Sequence, residues 1–298
     1  MNDAPVVGID LGGTASRFVV IRGGELLSSV TISTPRQLGE GVRIVADGVR
    51  SALAAASVDV SELGGIGIGA SGPVDVDGVI RNPETLPGLS DLPLTALLGA
   101  EFSTPCVIDN DAVTAALAES RTPAAQGRAG LLMVTLGTGV GVAVIRRGTP
   151  FRGADGVHPE GGHVSVPGPP APCYCGRATC LEQTASRTAL QAAAKAATGD
   201  DSVAELARAA ESGDPAARRV FSDFGARLGD GLLELCTQHR PELVVLGGSA
   251  SPHLERFRVS LEDRLATLVD APVPEVRGSD LADLSGAVGA TYLIGMDA

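Results

Sequence analysis

Two short glycine turns, each entered and left by a strand, constrain this chain more than any other feature. The first is Pro5-Val6-Val7-Gly8-Ile9-Asp10, then Leu11-Gly12-Gly13-Thr14, then a returning strand over 17–21. The second runs Leu132-Met133-Val134-Thr135-Leu136 into Gly137-Thr138-Gly139-Val140-Gly141 and leaves through Val142-Ala143-Val144-Ile145. A strand, a glycine turn and an immediate second strand make a hairpin, not the strand–turn–helix that opens a dinucleotide-binding unit. About 125 residues separate the two copies, which points to two related α/β domains.

The segments between them read as a helix over 39–56, a buried strand over 65–69, and a strand over 105–108 that ends in Asp109-Asn110-Asp111. A helix starts there, with Val113, Ala116, Leu117 and Ser120 at helical spacing. The second half is mostly helical. One helix spans 184–198 and stops at Gly199, and a second follows over 202–212. Asp214 as N-cap and Pro215 behind it start a long helix whose core face is Val220, Phe224, Leu228, Leu232 and Leu235. A buried strand over 243–246 runs into Gly247-Gly248, and a closing helix covers 286–294.

Composition narrows the partners. Glycine supplies 39 of 298 residues, well above the usual ~7%, as expected where backbone turns tightly or approaches a ligand. A formal net charge of −12 and only 3% aromatic residues argue against a nucleic-acid or anionic-membrane surface. The first residues lack the cationic start and apolar core of a secretion signal, so a cytoplasmic protein is expected.

The two turns share a physical logic. Glycine lets backbone N–H groups crowd around phosphate oxygens, and the hydroxyls of Thr14 and Thr138 add donors. Asp10, at a strand end beside Gly12 and Gly13, suits a Mg²⁺ ion that keeps much of its water. Either turn alone could be only a turn. Both together, with Gly247-Gly248 as a third glycine pair after a buried strand, favour phosphate handling. The trio resembles the two phosphate segments and the adenosine segment of the actin-like ATPase superfamily, which implies ATP.

Asn110-Asp111 admits two readings. Both residue types are good N-caps. A lone carboxylate at such a position also suits a general base that takes the proton of an attacking hydroxyl in phosphoryl transfer. The stretch from Glu160 to Glu182 is more telling. His163, Cys173, Cys175 and Cys180 give the pattern H-x9-C-x-C-x4-C, a Cys₃His set suited to a closed tetrahedral zinc site. Such a site has no open position, so its expected work is to fix a loop, with Glu160 and Glu182 flanking it as acceptors. One ring nitrogen of His163 is expected to face the metal and the other a ligand. Cys106 and Cys236 read as ordinary buried thiols, and His158, His239 and His253 fall outside the pattern.

These motifs together resemble the ROK family (repressors, open reading frames and kinases) over nearly the whole chain. Its zinc motif C-x-C-G-x-x-G-C-x-E is matched by Cys173-Tyr-Cys175-Gly176-Arg-Ala-Thr179-Cys180-Leu-Glu182, and Glu160-Gly-Gly-His163 matches its E-x-G-H segment. Asp10-Leu-Gly-Gly-Thr14, Asn110-Asp111-Ala112 and Leu136-Gly-Thr-Gly139 match in order. The resemblance implies two ribonuclease-H-like domains with the active site in the interdomain cleft, taken here as 1–111 plus 284–298 and 112–283. It implies a homodimer, ATP as donor and a sugar as acceptor. It makes Asp111 the base, and Gly72, Asn110, Glu160, His163 and Glu182 sugar ligands, and it makes His163 and the three cysteines zinc ligands.

Three residues depart from the pattern. Thr179 replaces the second glycine of the zinc loop, and Val113 stands where Asn often follows Asn-Asp-Ala. Thr85 occupies a sugar-pocket position where glucokinase-like members often carry Asn, which makes an amino- or N-acylamino-hexose a rival to glucose. A sugar-responsive regulator is the competing function. Such regulators carry an N-terminal helix-turn-helix domain, whereas about five residues precede the first strand here, and the acidic charge and Asp111 favour a kinase. An ATPase of the actin or chaperone type would have no use for the zinc and sugar cluster.

Overall fold

Both glycine turns close antiparallel hairpins, and each hairpin seeds a five-stranded sheet of the same order. The computed structural model describes residues 4–168, 170–269 and 271–296. In the first sheet β1 (Val6–Leu11) pairs with β2 (Ala15–Arg22) from Val6↔Ile21 to Leu11↔Ser16. A third antiparallel strand, β3 (Glu25–Ser33), extends that edge. On the other side β4 (Gly65–Ala70) and β5 (Cys106–Asn110) add in parallel, giving β3-β2-β1-β4-β5.

The second sheet repeats the plan. Here β6 (Gly130–Leu136) and β7 (Val140–Arg146) form the hairpin, and β8 (Thr149–Pro150) is a two-residue edge. Strands β9 (Leu243–Gly247) and β10 (Glu275–Gly278) lie parallel to β6, so the order is β10-β9-β6-β7-β8. The duplication expected from two turns therefore extends over whole sheets.

Helices α1 (Gly41–Ala55), α2 (Leu94–Phe102), α3 (Asp111–Glu119) and α9 (Ser285–Thr291) belong with the first sheet. Its core is built on Val7, Ile9, Phe18, Val49, Ile66 and Ile68, all fully buried. Much of the glycine excess is spent here on close packing rather than turns. Helix α9 lies against the backbone of β1 and β4, and a Cβ on Gly8 would stand 2.0 Å from the Ala287 carbonyl oxygen. On Gly67 it would stand 1.8 Å from that of Ala290.

The second sheet carries α4 (Leu181–Ala185), α5 (Arg187–Thr198), α6 (Val203–Glu211), α7 (Pro215–His239) and α8 (Leu254–Leu265). Asp214 caps α7 as expected, its Oδ1 accepting from Ala216 N–H at 2.7 Å, with Pro215 at the first helical position. Its buried stripe is Phe221, Phe224, Leu228, Leu232 and Leu235, and Val220 is only half-buried. Each large apolar side chain in that stripe contributes about 1.5–3 kcal/mol by leaving water. Strand β3 and helices α2 and α8 had no distinct signal in the sequence.

One expectation is corrected. The helix expected over 184–198 is two helices, broken at Ser186, which is extended (φ −81°, ψ 167°). Ser186 is the N-cap of α5, its hydroxyl oxygen accepting from Ala189 N–H at 3.1 Å. Within the described residues the chain forms two compact units. The first takes in 4–126, 148–158 and 284–296, the second 127–147 and 159–283. The first thus runs past the expected 111/112 boundary, because α3 is buried along its length and packs on α9 and β4. Residues 1–3, 169, 270 and 297–298 of that expected division lie outside the described residues. No helix among the described residues is long and apolar enough to cross a membrane.

Gly67→Ala is expected to force α9 off the sheet and to cost about 1–3 kcal/mol by overpacking, read as a lower midpoint in urea or thermal unfolding. An unchanged midpoint would show that α9 tolerates a wider spacing than the structure gives it.

Candidate active site

In the first unit the expected residues gather at the C-terminal ends of three parallel strands. The register Leu11↔Ala70 and Ala70↔Asn110 brings the loops after β1, β4 and β5 side by side. The C-terminal edge of parallel strands is where open α/β sheets commonly take ligands. Asp10 sits at the end of β1, 3.9 Å from the Arg17 guanidinium. Its carboxyl also abuts Gly286, where a Cβ would lie 2.8 Å from Asp10 Cγ. Gly12 and Gly13 form the turn, held when the Thr34 hydroxyl donates to the Gly12 carbonyl (2.5 Å), and Thr14 is exposed.

Gly72 and Thr85 are drawn together by a residue the sequence did not single out. Asn82 donates from Nδ2 to the Ser71 carbonyl (3.0 Å) and accepts at Oδ1 from Thr85 N–H (3.4 Å). Gly72 adopts φ +86°, a left-handed conformation that favours glycine, and its carbonyl accepts from Asn110 Nδ2 at 3.0 Å. The Thr85 methyl packs over Gly13.

At the start of α3 the two readings of Asn110-Asp111 separate. Asn110 is the N-cap, its Oδ1 accepting from Ala112 N–H at 2.8 Å. Asp111 is the first helical residue, and its Oδ1 shares that same N–H at 2.8 Å. Capping is thus already provided by Asn110. Behind them Asp109 is buried, accepting Asn110 N–H at 2.7 Å and pairing with the Arg152 guanidinium. Forty-three residues separate that pair, and no local motif announces it. Val113, where Asn is common, is buried in α3.

In the second unit Gly137-Thr138-Gly139 and Gly247-Gly248 close adjacent parallel strands, β6 and β9, paired through Thr135↔Gly247. Gly248 has φ +76° and lies against the backbone of Leu136, so the two glycine segments touch. The start of α5 pins the first of them. Arg187 N–H donates to the Gly137 carbonyl (2.9 Å), the Thr188 hydroxyl to the Thr138 carbonyl (2.8 Å), and the Arg187 guanidinium to Thr138 Oγ1 (3.3 Å). Glu182 holds the other side, with Oε2 accepting Val140 N–H at 3.0 Å. A Cβ on Gly139 would stand 2.2 Å from that same oxygen.

The four expected metal ligands converge. The ligand atoms of His163, Cys173, Cys175 and Cys180 all lie within 4.8 Å of one another, and the cysteines are free thiols. His163 Nδ1 faces Cys173 Sγ at 3.4 Å, and Cys175 Sγ faces Cys180 Sγ at 3.3 Å. A tetrahedral zinc site with Zn–S of about 2.3 Å places its sulfurs roughly 3.8 Å apart, close to this spacing. A short antiparallel pairing brings the distant ligand in: Val166 N–H donates to the Thr179 carbonyl (3.1 Å) and Leu181 N–H to that of Val164 (3.0 Å). Gly176 turns the loop at φ +81°, whereas Thr179 is not in the left-handed region, so its replacement of glycine needs no strain.

Burial pushes the Cys180 thiol up to about 12, while the Arg177 backbone N–H pulls that of Cys175 down. Cys106 and Cys236, away from this cluster in sequence, are both raised to about 12 by burial alone, as fits inert thiols. His163 is itself buried, and its Nε2 meets the Tyr174 hydroxyl at 2.6 Å. Tyr174 was not among the expected site residues, although its place between two ligand cysteines was the available signal. Glu160, exposed, opens the turn over Gly161–His163.

Comparison with known proteins bears on the whole chain. The profile of the ROK family matches residues 6–296. The ROK hexokinase from Thermus thermophilus superposes with a TM-score of 0.82 at 35% identity, covering 99% of this chain and 100% of its own. A ROK family glucokinase from Streptomyces griseus, solved in complex with glucose and AMPPNP, gives 0.80 at 30% identity over 97% and 98%. An N-acetylmannosamine kinase from Yersinia pseudotuberculosis is 31% identical over 94% of this chain and 95% of its own.

Proposed function

The chain belongs to the ROK family, and from that premise we propose that it is a sugar kinase using ATP and Mg²⁺ to phosphorylate the 6-hydroxyl of a hexose. The acceptor is glucose, or an amino- or N-acylamino-hexose such as aminoglucose or N-acetylmannosamine. Relatives named for glucose and for N-acetylmannosamine match at similar identity, which supports this range.

The observation that carries the reading is the division of labour at the start of α3. Asn110 provides the cap, so capping does not account for Asp111. On this proposal Asp111 takes the proton of the 6-hydroxyl as that oxygen attacks the γ-phosphorus, and the bond to the β-phosphate oxygen breaks. Gly72, Thr85, Asn110, Glu160, His163 and Glu182 bind sugar hydroxyls. Gly12, Gly13 and Thr14, with Gly137, Thr138 and Gly139, surround the phosphates with N–H and hydroxyl donors, and Gly247-Gly248 borders the adenosine. Asp10 would hold hydrated Mg²⁺, which neutralises charge on the phosphates. His163, Cys173, Cys175 and Cys180 would hold zinc as a closed structural site. A homodimer belongs to the same reading.

Asp111→Asn is expected to lower kcat by about 10²- to 10⁴-fold while sugar still binds in calorimetry. Full turnover in that variant would falsify the assignment of the base. Elemental analysis of freshly purified protein is expected to find one zinc per chain, and metal-free folded protein would defeat the zinc reading. A panel of glucose, glucosamine and N-acetylmannosamine ranked by kcat/KM identifies the acceptor. Thr85→Asn, which exchanges a short hydroxyl for a longer amide, is expected to move that ranking toward glucose by roughly two- to tenfold. An unmoved ranking would remove Thr85 from the specificity determinants.

A further inference from the structure

We propose that Arg187 is a further phosphate ligand for the nucleotide, its guanidinium pairing with the anionic chain beside the Thr138 hydroxyl. The inference rests on the sugar-kinase reading above, which puts Thr138 at the phosphates of ATP. Backbone and side chain of Arg187 do separate things. Its N–H donates to the Gly137 carbonyl at 2.9 Å, and the Thr188 hydroxyl donates to that of Thr138 at 2.8 Å. The glycine turn is therefore anchored without the guanidinium. The guanidinium itself donates to Thr138 Oγ1 at 3.3 Å, a single bond to a neutral hydroxyl.

The charge on that side chain is otherwise uncompensated. Among the described residues Arg187 forms no ion pair with a carboxylate, and its Nε is out of contact with water and has no acceptor. A half-buried donor left open in this way costs free energy that a merely structural arginine would not carry. Its place adds to the cost. Arg187 is the first residue of α5, where the aligned peptide dipoles disfavour a cation, and no acidic residue stands in that first turn. An anion at this point offsets both penalties. Thr138 shows where the anion would sit. Its Oγ1 accepts from the guanidinium, which leaves its own O–H for a further acceptor, and the residue is exposed. A phosphate oxygen accepting that O–H at about 2.8 Å lies at most roughly 6 Å from the nearest guanidinium nitrogen. The planar fork of donors on an arginine matches phosphate oxygens, so the pairing suits both geometry and charge.

Arg187→Gln removes the charge and keeps the backbone N–H that anchors the turn, while Arg187→Lys keeps the charge and loses the fork. The test measures Kd for ATP with Mg²⁺ by calorimetry, without sugar, and Kd for adenosine by displacement, on wild type and both variants. The expected result for the Gln variant is a Kd for ATP raised roughly five- to fiftyfold, with that for adenosine unchanged. The Lys variant is expected to recover part of the loss. An equal Kd for ATP overturns the proposal alone, and so does a Lys variant no better than Gln. Parallel weakening of ATP and adenosine overturns it in favour of mere support of the turn, as does loss of the cooperative urea transition in both variants. If wild type binds neither ATP nor adenosine, the nucleotide part of the sugar-kinase reading fails and the proposal falls with it.

Discussion

The carboxylate of Glu182 on the N–H of Val140 is the contact on which the arrangement of the second unit turns. It exists because Gly139 has no side chain: any Cβ there would collide with the same carboxylate oxygen. Glu182 lies two residues beyond Cys180, in the first turn of α4, and α4 gives way at Ser186 to α5. From there Arg187 and Thr188 bond back to the carbonyls of Gly137 and Thr138. The cluster of cysteines and the glycine turn are thus two ends of one short, hydrogen-bonded piece. On the proposed reading a cation in the cluster would steady the donor loop as well as the sugar ligands, and one oxygen of Glu182 is committed to that linkage.

The first unit reaches a comparable result by a different route. Its loops are set by strand register, which places the ends of β1, β4 and β5 level with one another. Small residues then allow α9 to settle on the sheet at backbone distance, and its start meets Asp10 at Gly286. Both units use a hairpin followed by parallel strands, and both carry their candidate residues at the C-terminal ends of those strands. A duplicated sheet with differently furnished loops accounts for the shared glycine grammar and for the confinement of the cysteine cluster to one copy.

What was legible in the sequence was what is encoded locally. Asp214 and Pro215 announce α7 because a cap and its helix lie within a few residues of each other. The two hairpins announce themselves because turn and strands are contiguous, and the Cys₃His spacing because three ligands fall within eight residues. What was not legible depends on residues far apart in the chain. The Asp109–Arg152 pair, the Asn82 bridge from Ser71 to Thr85, and the contact of Gly67 with Ala290 carry no periodicity or motif. The break at Ser186 was hidden for a related reason. The flanking residues are good helix formers, and what breaks the helix is the bonding of Ser186 to Ala189 and of Arg187 to Gly137.

A closed Cys₃His site leaves no position at which a metal could touch substrate, so its influence must pass through its ligands and their partners. Of the four candidate ligands only His163 has a second ring nitrogen, and it meets the Tyr174 hydroxyl at 2.6 Å. On the proposed reading a bound cation would fix Cys173 and Cys175 on either side of that tyrosine, and would fix Cys180 at the start of α4, two residues before Glu182. On that reading each candidate ligand would carry the constraint to a polar group next to it: a phenol, an imidazole or a carboxylate. On the proposed reading this explains why a metal with no chemistry of its own would be placed beside a site that orients a sugar. It also explains why Thr179 can replace glycine in the loop without penalty. The turn is made at Gly176, and position 179 needs only to supply a carbonyl to Val166.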